Sequence, residues 1–78
     1  MENTIKEIII EVLALDGEQK EKLDIDSNLI ELGLDSLAAV EVVVNLEDTF
    51  DIMIDDDDLL IENMNSIVRM KQLVEKYQ

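Results

Sequence analysis

The chain contains no cysteine, histidine, proline or tryptophan. Without cysteine there are no disulfides, thiolate metal sites or cysteine nucleophile. Without histidine there is no Ser–His triad and no histidine-ligated metal. No proline and only two glycines leave few helix-breaking positions, so a mostly helical fold is expected. Aromatics amount to 3%, one Phe and one Tyr, so the core must come from Ile, Leu, Val and Met. There is no Gly-rich phosphate loop, and no acid stands with a base as a catalytic dyad would. Enzymatic chemistry is not expected from these residues. No apolar run approaches the ~20 residues that span a bilayer. The opening Met1-Glu2-Asn3-Thr4 lacks the basic and then apolar regions of a signal peptide, so a soluble, cytoplasmic protein is expected.

Positive charge is also scarce. Six bases face twenty acids, a formal net charge of −14. The bases are Lys6, Lys20, Lys22, Arg69, Lys71 and Lys76, with none between Lys22 and Arg69. Nucleic acid is excluded as a partner, because phosphates need Lys or Arg to neutralise them. Anionic membrane surfaces are disfavoured for the same reason. Protein partners should be basic, and their encounter fast and salt-sensitive. At 78 residues, one domain spanning 1–78 is expected.

What the chain does contain is helical periodicity. Ile5, Ile8, Ile9, Val12 and Leu13 form one apolar stripe, predicting a helix over residues 3–15. Thr4 and Glu7 fit a capping box, and Asp16-Gly17 reads as the stop. Residues 16–35 read as a long connection whose Leu23, Ile25, Leu29, Ile30, Leu32 and Leu34 pack over the helices. Within it, Asn28 and Glu31 fit the cap of a short helical turn. Asp24, Asp26 and Asn28 begin a calcium-loop spacing that ends at Asp35. Leu29 occupies the position that needs Gly, and the final ligand is Asp rather than Glu, so no EF-hand is expected.

Leu32-Gly33-Leu34-Asp35-Ser36-Leu37 is a turn followed by a helix start. Asp35 and Ser36 are both good N-cap types. The helix predicted over 36–50 has two apolar faces. Ala39, Val42, Val43, Leu46 and Phe50 should be core. Leu37, Val40 and Val44 form a second stripe near Ser36, edged by Glu41 and Asp48, with Glu47 on its other flank. Folding needs only one buried face. The second is therefore either a partner surface or buried by neighbouring helices, and Ser36 is either a helix cap or an exposed functional hydroxyl. Further on, Asp55-Asp56-Asp57-Asp58 reads as the acidic cap of a short third helix, or as a loose divalent-cation site. Asn65 or Ser66 should cap a last helix carrying Ile67, Met70, Leu73, Val74 and Tyr77.

The run Glu31-Leu32-Gly33-Leu34-Asp35-Ser36-Leu37, followed by Val40-Glu41 and Leu46-Glu47-Asp48-Thr49-Phe50-Asp51-Ile52, resembles the acyl carrier protein family over nearly the whole chain. The resemblance implies an all-α fold: a small antiparallel four-helix bundle of three longer helices and one short one. It implies that Ser36 carries phosphopantetheine, donated from coenzyme A by a phosphopantetheinyl transferase, whose thiol holds acyl groups as thioesters. It also implies that Asp35, Leu37, Val40, Glu41, Val44, Glu47 and Asp48 meet partner enzymes: acyl-loading, synthase and transferase enzymes with basic docking patches. A monomer with no catalysis of its own is expected. Two departures stand out. Family members often have Pro near Asp55. Ala38 stands where fatty-acid-synthesis carriers typically show an acid, which points toward a dedicated pathway such as polyketide or hybrid peptide synthesis. An aminoacyl or peptidyl carrier is an alternative, as is an acidic calcium-binding or interaction domain with Ser36 unmodified.

Overall fold

Ile5, Ile8 and Ile9 turn one face of the first helix into the centre of the molecule. The computed structural model describes all 78 residues. Four α-helices follow in order: α1 (Glu2–Val12), α2 (Gly17–Lys22), α3 (Ser36–Phe50) and α4 (Ile67–Tyr77). Two single 3₁₀ turns, Asp56–Asp58 and Ile61–Asn63, link α3 to α4. Both α3 and α4 pack against α1. Seventeen residues are buried and all are apolar. Ile5 and Ile9 of α1, Val42 and Leu46 of α3, and Ile67, Met70 and Val74 of α4 are fully enclosed. The all-α four-helix bundle is thus as expected. No helix is long and apolar enough to cross a membrane.

The helix ends differ from the sequence expectation in three places. The first helix starts at Glu2, so Thr4 lies inside its first turn and forms no cap. It stops at Val12, with Ala14 in the left-handed region at φ 51°. Ala14 N–H donates to the Glu11 carbonyl at 3.3 Å and Leu15 N–H to the Ile10 carbonyl at 3.1 Å. This pairing satisfies carbonyls left free by the last turn, and its left-handed residue is usually Gly. Asp16-Gly17, read as a stop, is instead a start. Asp16 Oδ1 accepts from Gln19 N–H at 2.8 Å while Gln19 Oε1 accepts from Asp16 N–H at 3.1 Å, capping α2.

The remaining connection packs onto the bundle. Leu23, Leu29 and Leu34 are buried and Leu32 is half-buried, but Ile25 and Ile30 face solvent. Two backbone bonds tie the connection to the start of α4: Leu29 N–H to the Asn65 carbonyl at 2.9 Å, and Val68 N–H to the Ile25 carbonyl at 3.1 Å. The second satisfies a first-turn donor of α4. Ser66 Oγ accepts from Arg69 N–H at 3.2 Å, so Ser66 rather than Asn65 is the cap. The radius of gyration is 11.4 Å, against about 11.5 Å for a compact chain of this length, so no part of the connection hangs free.

The acidic run forms a single 3₁₀ turn, not a third α-helix; the short α-helix of the bundle is α2. Asp58 faces the end of α4, where Lys76 Nζ donates to Oδ2 at 2.8 Å and the Tyr77 hydroxyl donates to the same oxygen. The Lys76 and Tyr77 bonds, in that order, hold Asp58 below the usual carboxylate range. The same contact raises both Lys76 and Tyr77. Asp55 N–H donates to the Tyr77 oxygen at 3.1 Å, a bond a proline there could not make.

Of the three positive-φ positions, Ala14, Gly33 and Asp51, the first two predict opposite responses. Gly33 has φ +111° with open space around it, so Gly33→Ala should cost about 1–2 kcal/mol through backbone strain alone. Ala14→Gly should gain about 1 kcal/mol for the same reason, raising Tm by roughly 4–8 °C. Thermal denaturation of both variants checks the pair, and a destabilised Ala14→Gly would contradict it. The contribution of Asp58 should be complete above its unfolded pKa of about 3.9 and be lost as pH falls through its lower folded value. Lys76 and Tyr77, both raised, should contribute fully below about pH 10 and lose that contribution as pH rises through their folded values. The stability margin of wild type over Asp58→Asn should therefore be flat near neutrality and narrow at both extremes. Urea denaturation across pH tests this; a margin unchanged down to pH ~2 would refute it.

Candidate functional site

The site is built on the turn that precedes α3. Leu32 N–H and Leu34 N–H both donate to the Leu29 carbonyl, at 3.0 and 2.9 Å, and Gly33 N–H donates to the Ile30 carbonyl at 3.1 Å. Leu29 and Leu34 are buried on either side of this loop, so its exit is fixed in the core. Asp35 follows with extended backbone. Its Oδ1 accepts from Ala38 N–H at 2.8 Å. Asp35 is therefore the cap, and Ser36 is the first residue of α3 with its hydroxyl uncommitted to capping. The reading of Ser36 as only a helix cap is set aside by this geometry. Ser36 is exposed.

Beside Ser36 opens a cleft of about 520 Å³, within the range of small-molecule sites. Val40, Val43 and Val44 of α3 form one wall. Ile54, Leu59, Ile61 and Met64 line it from the segment beyond α3, with the exposed Met53 beside them. Ser36, Glu47 and Asp56 supply its polar groups. The cleft belongs in part to the second stripe of α3, which no neighbouring helix covers. Leu37 is 79% exposed, Val40 62% and Val44 57%, more apolar exposure than folding requires. Leu37 is not a cleft residue.

The acids divide. Glu41 and Asp48 are exposed and without an ion-pair partner. Glu47 is half-buried, and its Oε2 accepts from Ile54 N–H at 2.9 Å. It holds the chain that follows α3 as well as lining the cleft. Phe50, expected in the core, is half-buried against it at the end of α3. No three acids converge as a cation site. Asp58 of the acidic run is engaged by Lys76 and Tyr77, and Asp24 Oδ1 accepts from Ile25 N–H at 2.7 Å. The far wall of the cleft was not legible beforehand. Its only signal is that the acidic run is flanked by Ile52-Met53-Ile54 and Leu59-Leu60-Ile61, two apolar clusters that local periodicity does not bring together.

The comparisons with known proteins agree with this geometry. Residues 3–74 match the family model described as a phosphopantetheine attachment site. The chain is 37% identical over 73 residues to an acyl carrier protein of Karelsulcia muelleri, covering 94% of this chain and 83% of that one. It is 34% identical over 79 residues to one from Akkermansia muciniphila, covering 100% and 92%. In structure it is similar, at TM-score 0.84 and 28% identity over 96% of this chain and 99% of the other, to a chain of the crystal structure of an engineered Bradyrhizobium japonicum glycine:[carrier protein] ligase complexed with a carrier protein from Agrobacterium tumefaciens and AMP. A serine-headed helix, an apolar cleft beside it and these matches all describe one kind of molecule, and the chain belongs to the acyl carrier protein family, whose members bear phosphopantetheine.

Proposed function

We propose that Ser36 is the residue that takes phosphopantetheine, and that residues 1–78 act as one carrier domain without catalysis of their own. The observation that carries this is the division of labour at the head of α3: Asp35 takes the cap bond and leaves the exposed Ser36 hydroxyl at the lip of an apolar cleft. Three further features fit the group. No Cys or His competes for it. The first residue of a helix is where added negative charge is best tolerated. The loop closed on the Leu29 carbonyl holds Ser36 in place. When bound, the group supplies a thiol that holds cargo as a thioester. The chain's own residues position that attachment and offer Val40, Val43, Val44 and Ile54 as an apolar lining for an acyl chain.

This lining favours acyl cargo of fatty acid, polyketide or related biosynthesis. An aminoacyl cargo is the second reading, favoured by the glycine:[carrier protein] ligase present in the similar crystal structure. Partner enzymes would meet the exposed Leu37, Val40 and Val44 through apolar groups, and Glu41, Asp48 and the rim of Asp35 and Glu47 through basic ones. The cytoplasm and a monomeric state belong to the same proposal, with repulsion at net charge −14 supporting the second.

Intact mass after incubation with coenzyme A, magnesium and a broad-specificity phosphopantetheinyl transferase should show one added arm on wild type and none on Ser36→Ala, whose fold should be unchanged. Addition to the Ser36→Ala chain would reassign the site. Glu41→Lys and Asp48→Lys should each slow encounter with the transferase several-fold at low salt. The difference should vanish as screening shortens from about 30 Å at 0.01 M to about 3 Å at 1 M. Stopped-flow association showing equal rates for both variants and wild type at low salt would remove these acids from the docking face.

A further inference from the structure

The far wall of the cleft is attached to the molecule unlike any other part of it. From Asp55 to Asn63, nine consecutive residues contribute no buried side chain. The segment hangs between two anchors, Ile54 (6% exposed) and Met64 (2% exposed). Its backbone hydrogen bonds close only single turns, among them Asp58 N–H to the Asp55 carbonyl at 2.9 Å and Asn63 N–H to the Leu60 carbonyl at 2.9 Å. Leu59 leans partly on the core, while Leu60 and Ile61 are 48% and 38% exposed. Segments with so few buried contacts open at low free energy.

What holds the middle of this segment is the end of α4. The Asp58 carboxylate accepts from both Lys76 Nζ and the Tyr77 hydroxyl, while the Tyr77 oxygen accepts from Asp55 N–H. Asn63 Nδ2 braces the same place by donating to the Asp58 carbonyl at 3.0 Å. One phenol oxygen and one carboxylate thus tie two points of the wall to the last turn of α4, and the wall carries Leu59 and Ile61 into the cleft. Lys76 lies fairly exposed, and its side chain also passes over the Tyr77 ring, 5.8 Å from the centroid.

We infer that Asp58 and Tyr77 are positioning residues for cargo: they latch residues 55–63 shut, and their engagement sets how long the cleft retains an apolar chain. The inference rests on the acyl-carrier reading for its cargo, but the latch itself is a property of the unmodified chain. Lys76 steadies the Asp58 carboxylate. Tyr77 does the larger mechanical work, because its oxygen is the only group bonded to both Asp55 and Asp58. Release of the clasp frees Leu59 and Ile61 to swing out while Ile54 and Met64 stay in the core. The attachment point at Ser36 is untouched by this motion.

The test uses the full chain in two states. In the unmodified protein, Tyr77→Phe and Asp58→Asn should each speed amide hydrogen exchange in residues 55–63 about tenfold, the loss of roughly one net hydrogen bond. Exchange of the core amides of α1 and α3 should stay unchanged, and Asp58→Glu should restore slow exchange. In the acylated protein, the same two variants should cleave several-fold faster with hydroxylamine, while their loading by the transferase matches wild type. Unchanged exchange would overturn the latch. Faster exchange with unchanged hydroxylamine cleavage would overturn its role in cargo retention and leave Ser36 attachment standing. Failure to load at all would instead indict the Ser36 assignment.

Discussion

One hydrogen bond, from the Ala38 N–H to the Asp35 carboxylate, decides what the neighbouring hydroxyl is free to do. A helix start leaves donors that some oxygen must satisfy. Had Ser36 been that oxygen, it would be occupied and turned inward over the first turn. With Asp35 in the role, α3 begins one residue earlier and Ser36 heads it with its oxygen to spare. The arrangement depends in turn on Leu34, buried just before the cap, and on Gly33, whose φ of +111° lets the chain double back before it. Core packing, loop chirality and capping meet at this junction, and an exposed hydroxyl with no capping bond results from their agreement.

The parts that could be read in advance are those set by neighbours in the chain. Helix α3 occupies Ser36–Phe50 as its unbroken apolar run predicts, and Ala39, Val42, Val43 and Leu46 are its buried face. Ser66, one of the two candidates with Asn65, caps α4. The misreadings came where one signal serves two ends. Asp16-Gly17 satisfies the rules for a helix stop and for a helix start, and the structure uses it as a start because Ala14 has already turned the chain. Asp55–Asp58 looks like a helix cap, but the residues after it bury too little to sustain an α-helix. The cleft was beyond reach, since its two walls are joined only by tertiary contact. So was the pairing of Asp58 with Tyr77, nineteen positions apart.

Charge is arranged as unevenly as apolar surface. Three of the six bases are engaged internally: Lys22 with Glu18, Lys71 with Glu2 and Lys76 with Asp58. None of them reaches the acids of α3. Glu41 and Asp48 therefore present an uncompensated negative edge beside exposed Leu37, Val40 and Val44, which suits a partner that brings the missing cations. Exposed ion pairs of this kind add little to stability. The bundle is held by its seventeen apolar residues, and Glu41 and Asp48 add no ion pair to it.

The wall that spans Asp55 to Asn63 bears on how such a protein diversifies. Most positions that shape a binding cavity also belong to a core, so altering them trades specificity against stability. Here the buried Ala39 and Val43 of α3 are bound by that trade, but the nine residues opposite supply no buried side chain. Substitutions there, Asp58 apart, can reshape the cleft with little penalty to the fold, as is general for surface segments. One half of the cavity is therefore inherited with the bundle and the other is open to drift. A lineage can reshape this cleft by varying a short stretch of chain while the rest of the molecule stays as it was.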